Sequence, residues 1–100
     1  MKNKLHKIYT EPTTSKVLIY LLNNRNHNKN YALSIAREIP MFYASVIKAI
    51  NFLKEKGYIN QYIKNKNQRT KFLTLTTKGK ELAISFQNVN LIIKYHENKT

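Results

Sequence analysis

The apolar residues of the chain recur at helical spacing in several segments that are separated by short polar stretches. The first segment, residues 13–22, carries an apolar run from Val17 to Leu22 that covers nearly every side, which predicts a helix buried against several neighbours. Residues 23–30 contain five Asn and predict a surface loop, because asparagine side chains compete with the helical backbone for hydrogen bonds. Tyr31 then begins a short extended piece.

Two short amphipathic segments follow and predict two helices joined by a tight turn. The first, residues 34–39, ends at Pro40, because proline lacks the amide hydrogen and disfavours helical geometry in the preceding residue. The second, residues 43–56, ends before Gly57, which tolerates left-handed backbone geometry. Its core stripe recurs at spacings of four and three residues and consists of Val46, Ile50 and Leu53. Residues 34–56 therefore form a predicted helix-turn-helix.

The remainder of the chain predicts a β-hairpin and a last helix. Residues 58–64 and 71–75 are aromatic and β-branched with polar residues between, which is typical of strands, and a cationic tip joins them. A helix is then expected to begin at a cap formed by Thr76 or Thr77. We therefore predict a mainly α protein with a small β-hairpin, of the α+β class, with the element order of a winged helix-turn-helix.

One hundred residues suffice for one domain with a modest core. Within it we expect three parts. A basic N-terminal arm spans residues 1–12, and the winged-helix domain spans 13–80 with its wing at 58–75. A C-terminal dimerisation helix spans 77–96.

The charge of the chain is strongly positive and unevenly placed. Eighteen Lys and Arg against five acidic residues give a formal net charge of +13. Residues 54–80 contain eight of the cations and one acid, whereas residues 81–100 contain two of each sign. An AT-rich genome would also inflate Lys, but it would supply Asp as well, and the chain has none. A basic face beside a neutral helix favours a polyanion partner, with nucleic acid ahead of an anionic membrane.

Several function classes lack the residues that they need. Without Cys there is no thiolate zinc site, and the three His lie far apart with no carboxylate at ligand spacing. Two Gly form no phosphate-binding loop, and no Asp is available for a catalytic triad. No apolar run approaches the ~18 residues of a spanning helix, and the N-terminus lacks the apolar stretch of a secretory signal. We expect a cytoplasmic, nucleoid-associated protein with no enzymatic activity, metal, cofactor or membrane partner.

Residues 35–80, about half of the chain, resemble the MarR-type winged-helix regulators without a gap. The matching parts are a small-polar-polar-apolar helix, the recognition-helix stripe, a charged turn with a glycine, a wing motif and a wing exit. In order they are Ala36-Arg37-Glu38-Ile39, then Val46, Ile50 and Leu53, Lys54-Glu55-Lys56-Gly57-Tyr58-Ile59, Asn67-Gln68-Arg69 and Leu75-Thr76-Thr77-Lys78-Gly79-Lys80. The resemblance implies a winged-helix fold that binds DNA.

Three features depart from that family's pattern. Asn67 stands where the family has an acidic residue, so the ion pair that orients the wing arginine becomes a neutral hydrogen bond. Pro40 and Phe42 replace the usual glycine and capping Ser or Thr, which leaves Ser45 to serve the helix end. The first twelve residues are too few for the family's long N-terminal dimerisation helix, so ligand sensing is not carried over and any effector is unknown.

The outward face of the second helix of the helix-turn-helix is predicted to enter the major groove of DNA. Lys48 and Asn51 would read base edges, and Ala44 and Ile47 would touch thymine methyl groups. The alternative for Ile47 and Tyr43 is a place in a second core layer. The predicted contacts on this helix are Tyr43, Ala44, Ser45, Ile47, Lys48 and Asn51.

The hairpin tip supplies a second set of predicted DNA contacts. Arg69 would enter a narrow minor groove, where the potential attracts a guanidinium group, and the lysines would neutralise flanking phosphates. The alternative is a solvated charged loop. The predicted wing contacts are Lys64, Lys66, Asn67, Gln68, Arg69 and Lys71.

The last helix has an apolar seam at spacings of four, three and four residues in neutral surroundings. We expect this seam to form a homodimer, although it would also suit packing on the first helix. Twofold symmetry would set two recognition helices about one DNA turn apart. The seam consists of Leu82, Phe86, Val89 and Ile93.

The function predicted from the sequence is binding of double-stranded DNA, with sequence preference, by a dimeric transcriptional regulator. Two alternatives stay open. The same chemistry would serve a centromere-binding adaptor for partition of plasmid or viral DNA. From another class, a winged helix also serves as a protein-interaction module.

Overall fold

The computed structural model describes residues 12–25, 30–64 and 69–99. The helices are α1 (Pro12–Asn23), α2 (Ala32–Glu38), α3 (Tyr43–Glu55) and α4 (Thr77–Lys99), and the hairpin strands are β1 (Ile59–Tyr62) and β2 (Phe72–Leu75). This order confirms the predicted winged helix-turn-helix of the α+β class. Of the predicted basic arm, only Pro12 falls within the described residues.

Helix α1 lies at the centre of the core. Val17 and Leu18 are fully buried, and the helix packs against α3, α4 and β2. This confirms the expectation that a helix apolar on nearly every side has several neighbours. The core that surrounds it takes residues from every helix and both strands, so the helix-turn-helix and the wing rest on one support.

The helix-turn-helix has the predicted turn and the predicted stop. Helix α2 begins two residues earlier than expected and ends before Pro40, where the Met41 amide donates to the Ala36 carbonyl at 3.1 Å. At the end of α3, Gly57 has a φ of +82°. The Gly57 amide donates to the carbonyl of Lys54 and the Tyr58 amide to that of Leu53. These two bonds form a Schellman motif, which fixes where α3 ends and the wing begins.

The wing is a two-stranded antiparallel hairpin that is anchored to the start of α2. Ile59 pairs with Leu75 and Tyr62 with Phe72, and Tyr31 forms an isolated bridge to Phe72. The Leu73 amide donates to the Asn30 carbonyl at 2.8 Å. Tyr31 is therefore extended, as predicted.

The expected surface loop is wrong at its last residue. Asn30 is 4% exposed, and its side-chain amide donates to the Asn24 carbonyl at 2.6 Å. Its backbone carbonyl accepts from β2, so the residue closes the loop against the wing. Asn30 is buried because its side chain caps a loop carbonyl and its backbone bonds to β2. The Asn-rich composition, which predicts an exposed loop, does not reveal these bonds.

Thr76 joins the wing to α4 and confirms one of the two predicted caps. Its hydroxyl accepts a hydrogen bond from the Gly79 amide at 3.0 Å and donates to the Gly57 carbonyl at 2.7 Å. The Thr76 amide also donates to the Tyr58 carbonyl. A Cβ on Gly79 would overlap the Tyr58 carbonyl oxygen, so the close approach of α4 to the end of the recognition helix requires glycine.

Candidate nucleic-acid interface

Helix α3 separates a core face from an exposed face, as the sequence predicts. Val46, Ile50 and Leu53 are at most 2% exposed, and Ala49 is buried beside them. The predicted contact residues lie on the remaining surface. Tyr43, Ala44, Lys48 and Asn51 are exposed, whereas Ser45 and Ile47 are half-buried.

The start of α3 has no side-chain cap. Phe42 is the N-cap residue, and no side chain makes a capping hydrogen bond there, so the suggestion that Ser45 serves this end is wrong. The Val46 amide closes the first turn by donating to the Phe42 carbonyl at 3.1 Å. The Phe42 ring is 84% exposed.

An aromatic cluster surrounds the last strand pair before the hairpin tip and holds a lysine. The ring of Phe72 lies 5.7 Å from that of Tyr31, edge to face, and 5.8 Å from that of Tyr62. The Lys64 ammonium sits 4.3 Å from the centre of the Phe72 ring. Such a cation–π contact holds the Lys64 charge beside the Tyr62–Phe72 pair, where the strands meet the hairpin tip.

Only part of the predicted wing set falls within the described residues. Arg69 and Lys71 are exposed on the strand side of the tip. The predicted contacts Lys66, Asn67 and Gln68 lie outside the described residues.

A groove of about 500 Å³ connects the recognition helix with the wing. Its apolar lining includes Ile47, Ile50 and Leu73, so Ile47 is neither an isolated surface residue nor a core residue. Tyr31, just before α2, and Tyr43, in the first turn of α3, also line it. The groove is therefore a concave valley between the two elements that the sequence predicts to touch DNA.

The polar lining of the groove is cationic. Arg69 and Lys71 from the wing and Lys54 from α3 all line it, together with Asn51. The lining residues within the described part of the chain include no acidic side chain. Such a groove concentrates positive potential, which attracts a phosphate chain.

Lys54 and Gln61 also line this groove, and neither is among the contact residues predicted from the sequence. The Lys54 ammonium donates to the Gln61 side-chain oxygen at 3.0 Å, which ties the last turn of α3 to β1. The helical spacing contained the signal for Lys54. It lies seven residues after Ile47 and three after Asn51, so it shares their face. The sequence contained no comparable signal for Gln61, because the packing of β1 decides which helix its side chain contacts.

The predicted dimer seam divides into two halves in the structure. Phe86 is 7% exposed and lies in the core, and Leu82 packs against that core, so both serve the protomer's own fold. This corrects their assignment to a dimer contact. Val89 and Ile93, further along α4, are 45% and 49% exposed. The seam is continuous, but α1 covers only its first half.

Solved structures with this architecture include several regulators. A Staphylococcus aureus MepR–DNA complex matches at a TM-score of 0.79 and 20% identity, covering 94% of this chain and 70% of that one. The Streptococcus pyogenes adhesin competence repressor AdcR matches at 0.74 and 19%, covering 88% and 63%. Lactococcus lactis ZitR matches at 0.70 and 22%, covering 89% and 61%. The chain has the MarR-type winged-helix fold.

This MarR-type fold is established by structure alone, since the sequence matches no protein-family model and no curated protein. MepR is described as a transcription regulator of the S. aureus multidrug efflux pump MepA, and AdcR as a repressor. These neighbours are regulators rather than enzymes.

Two other classes of site lack the groups that they need in the described part of the chain. Within residues 12–25, 30–64 and 69–99, no group of three His, Cys, Asp or Glu side chains is placed to hold a metal ion. No helix in those ranges has the length and apolar character needed to cross a membrane.

Proposed function

We propose that the protein binds double-stranded DNA as a dimer, with sequence preference, and acts as a transcription regulator. The observation that carries the proposal is the cationic groove between α3 and the wing. It joins the two elements that a winged helix places in neighbouring grooves of DNA, and it has basic side chains on both sides.

In this proposal each part of the surface has its own role. The exposed face of α3 enters the major groove, where Lys48 and Asn51 meet base edges. The sugar-phosphate strand between the two grooves lies over the valley, within reach of Lys54 and Lys71. Arg69 then reaches the adjacent minor groove. The similarity to MepR, which has been solved with DNA, supports this arrangement.

The C-terminal half of α4 is the proposed dimer contact. Helix α4 has 23 residues and α1 has 12, so α4 is about 35 Å long and α1 about 18 Å. Val89 and Ile93 continue the core seam beyond Phe86 and stay exposed, and Leu91, Ile92 and Tyr95 are each more than half exposed. Residues 81–97 contain one cation, Lys94, and two acids, Glu81 and Glu97, so their net charge is −1. A second copy would cover this apolar, nearly neutral surface without repulsion.

Selection of bound duplexes from a random pool tests the proposed function. We expect an inverted repeat with half-site centres about 10 bp apart, because a twofold dimer presents two recognition helices one turn apart. Tandem repeats would instead assign the same interface to a partition adaptor. No enrichment, together with a partner protein whose binding survives Arg69→Glu and Lys71→Glu, would replace the DNA proposal by the protein-interaction module.

Size determination of two variants tests the dimer. Ile93→Glu places a charge in the proposed contact and is expected to give a monomer on a sizing column with light scattering. Asn90→Glu is the matched control, because Asn90 is exposed and polar on the same helix. An unchanged mass for Ile93→Glu would remove this part of α4 from the dimer contact.

A further inference from the structure

Phe42 breaks two rules of local stability at one position. It is the most exposed large hydrophobic side chain in the described part of the chain, at 84%. It is also the N-cap of α3, where Ser, Thr, Asn or Asp would bond a free amide of the first turn. An aromatic ring at that position supplies no cap and leaves apolar surface in water.

Packing does not explain the ring. Met41, its neighbour, packs partly buried against the core and anchors the turn. The hydrogen bond that Phe42 gives to the first turn comes from its carbonyl oxygen, which any residue would supply. Where a sequence breaks local rules with no compensating contact in the fold, the compensation is expected in a complex.

The position of Phe42 indicates what the ring meets. It precedes Tyr43 and Ala44 at the end of the helix that a winged helix places in the major groove. The apolar feature that duplex DNA displays in that groove is the C5-methyl group of thymine, and phenylalanine is among the side chains that contact it. The cationic groove beside α3 would draw the DNA to this helix.

We propose that Phe42 packs its ring against a thymine methyl group in each half-site and thereby specifies an A·T pair there. This inference rests on the proposed DNA binding. It adds a residue that the sequence-based contact set, Tyr43 to Asn51 on this helix, did not include.

Uracil scanning of a selected duplex tests the contact. Each thymine is replaced singly by deoxyuridine, which removes only the methyl group. The parent protein is expected to lose about fourfold in affinity at one thymine per half-site, the amount that burial of one methyl group supplies. Phe42→Ser is expected to bind the parent duplex more weakly and to be indifferent to uracil at that thymine. Any thymine contacted by Ala44 or Ile47 should stay sensitive.

Two further measurements separate a lost contact from a damaged fold. Phe42→Ser supplies a capping hydroxyl to α3, so its thermal midpoint should rise rather than fall. Phe42→Leu keeps an apolar side chain and should keep the uracil sensitivity. If Phe42→Ser and the parent protein give the same uracil profile, the ring reads no methyl group and the inference fails while DNA binding stands. If the parent protein binds no duplex, the proposed function itself fails.

Discussion

Removal of Arg69 should change the salt dependence of DNA binding in a calculable way. Four exposed cations lie on the groove or beside it within the described residues: Lys48, Lys54, Arg69 and Lys71. Two protomers together present about eight such cations. Each phosphate that they neutralise contributes about −0.9 to the slope of log K against log salt. The parent dimer should therefore show a slope of about −7, which is a loss of about 10⁴ in affinity between ~50 and ~200 mM salt.

Arg69→Ala removes two of those cations from the dimer, so the slope should become about −5. Fluorescence anisotropy of a labelled duplex, titrated at four salt concentrations, measures both slopes. Lys16→Ala is the matched control, because Lys16 is an exposed cation on α1, outside the groove lining. Its slope should equal that of the parent protein.

Either of two results would refute the reasoning. A slope near zero for the parent protein would mean that the basic groove meets no phosphates. A slope that is unchanged in Arg69→Ala but shallower in Lys16→Ala would move the DNA contact from the groove to α1.

The remaining predictions concern the fold, the base contact and the seam. Gly79→Ala should lower the thermal midpoint in circular dichroism, since overlap with the Tyr58 carbonyl outweighs the ~1 kcal/mol that alanine gains in helix propensity; an unchanged midpoint would contradict this close approach. Asn51→Ala should broaden the selected DNA site while leaving the salt slope unaltered, and an unbroadened site would remove Asn51 from base readout. In urea unfolding, Phe86→Ala should cost about 3–5 kcal/mol, as expected for a buried phenylalanine. Ile93→Ala should instead weaken dimerisation, and equal losses of protomer stability for these two variants would refute the division of the seam.

The elements of the fold were predictable wherever local chemistry decides them. Pro40 and Gly57 mark the ends of α2 and α3 because each restricts or permits a particular backbone geometry. The core stripe of α3 follows from helical periodicity, and both its members and its exposed face are confirmed by burial. The Thr76 cap likewise depends on its immediate neighbours.

The rest depends on which element meets which, and a local pattern does not contain that information. The seam on α4 has one period from Leu82 to Ile93, yet its first half is core and its second half is exposed, because α1 is half as long as α4. Asn30 resembles its loop neighbours in sequence but is buried by contact with β2. Both outcomes are set by tertiary packing.

The hydrogen bonds around Thr76 couple the position of α3 to that of α4. They tie the end of α3, through Gly57 and Tyr58, to the first turn of α4. In a dimer formed through the C-terminal half of α4, α3 and the ~35 Å length of α4 would turn together about the far end of α4. A rotation of ten degrees where two copies meet would displace each recognition helix by about 6 Å, nearly two base pairs along DNA. Small changes in the angle at which the two α4 helices cross would thus set which half-site spacing the dimer accepts.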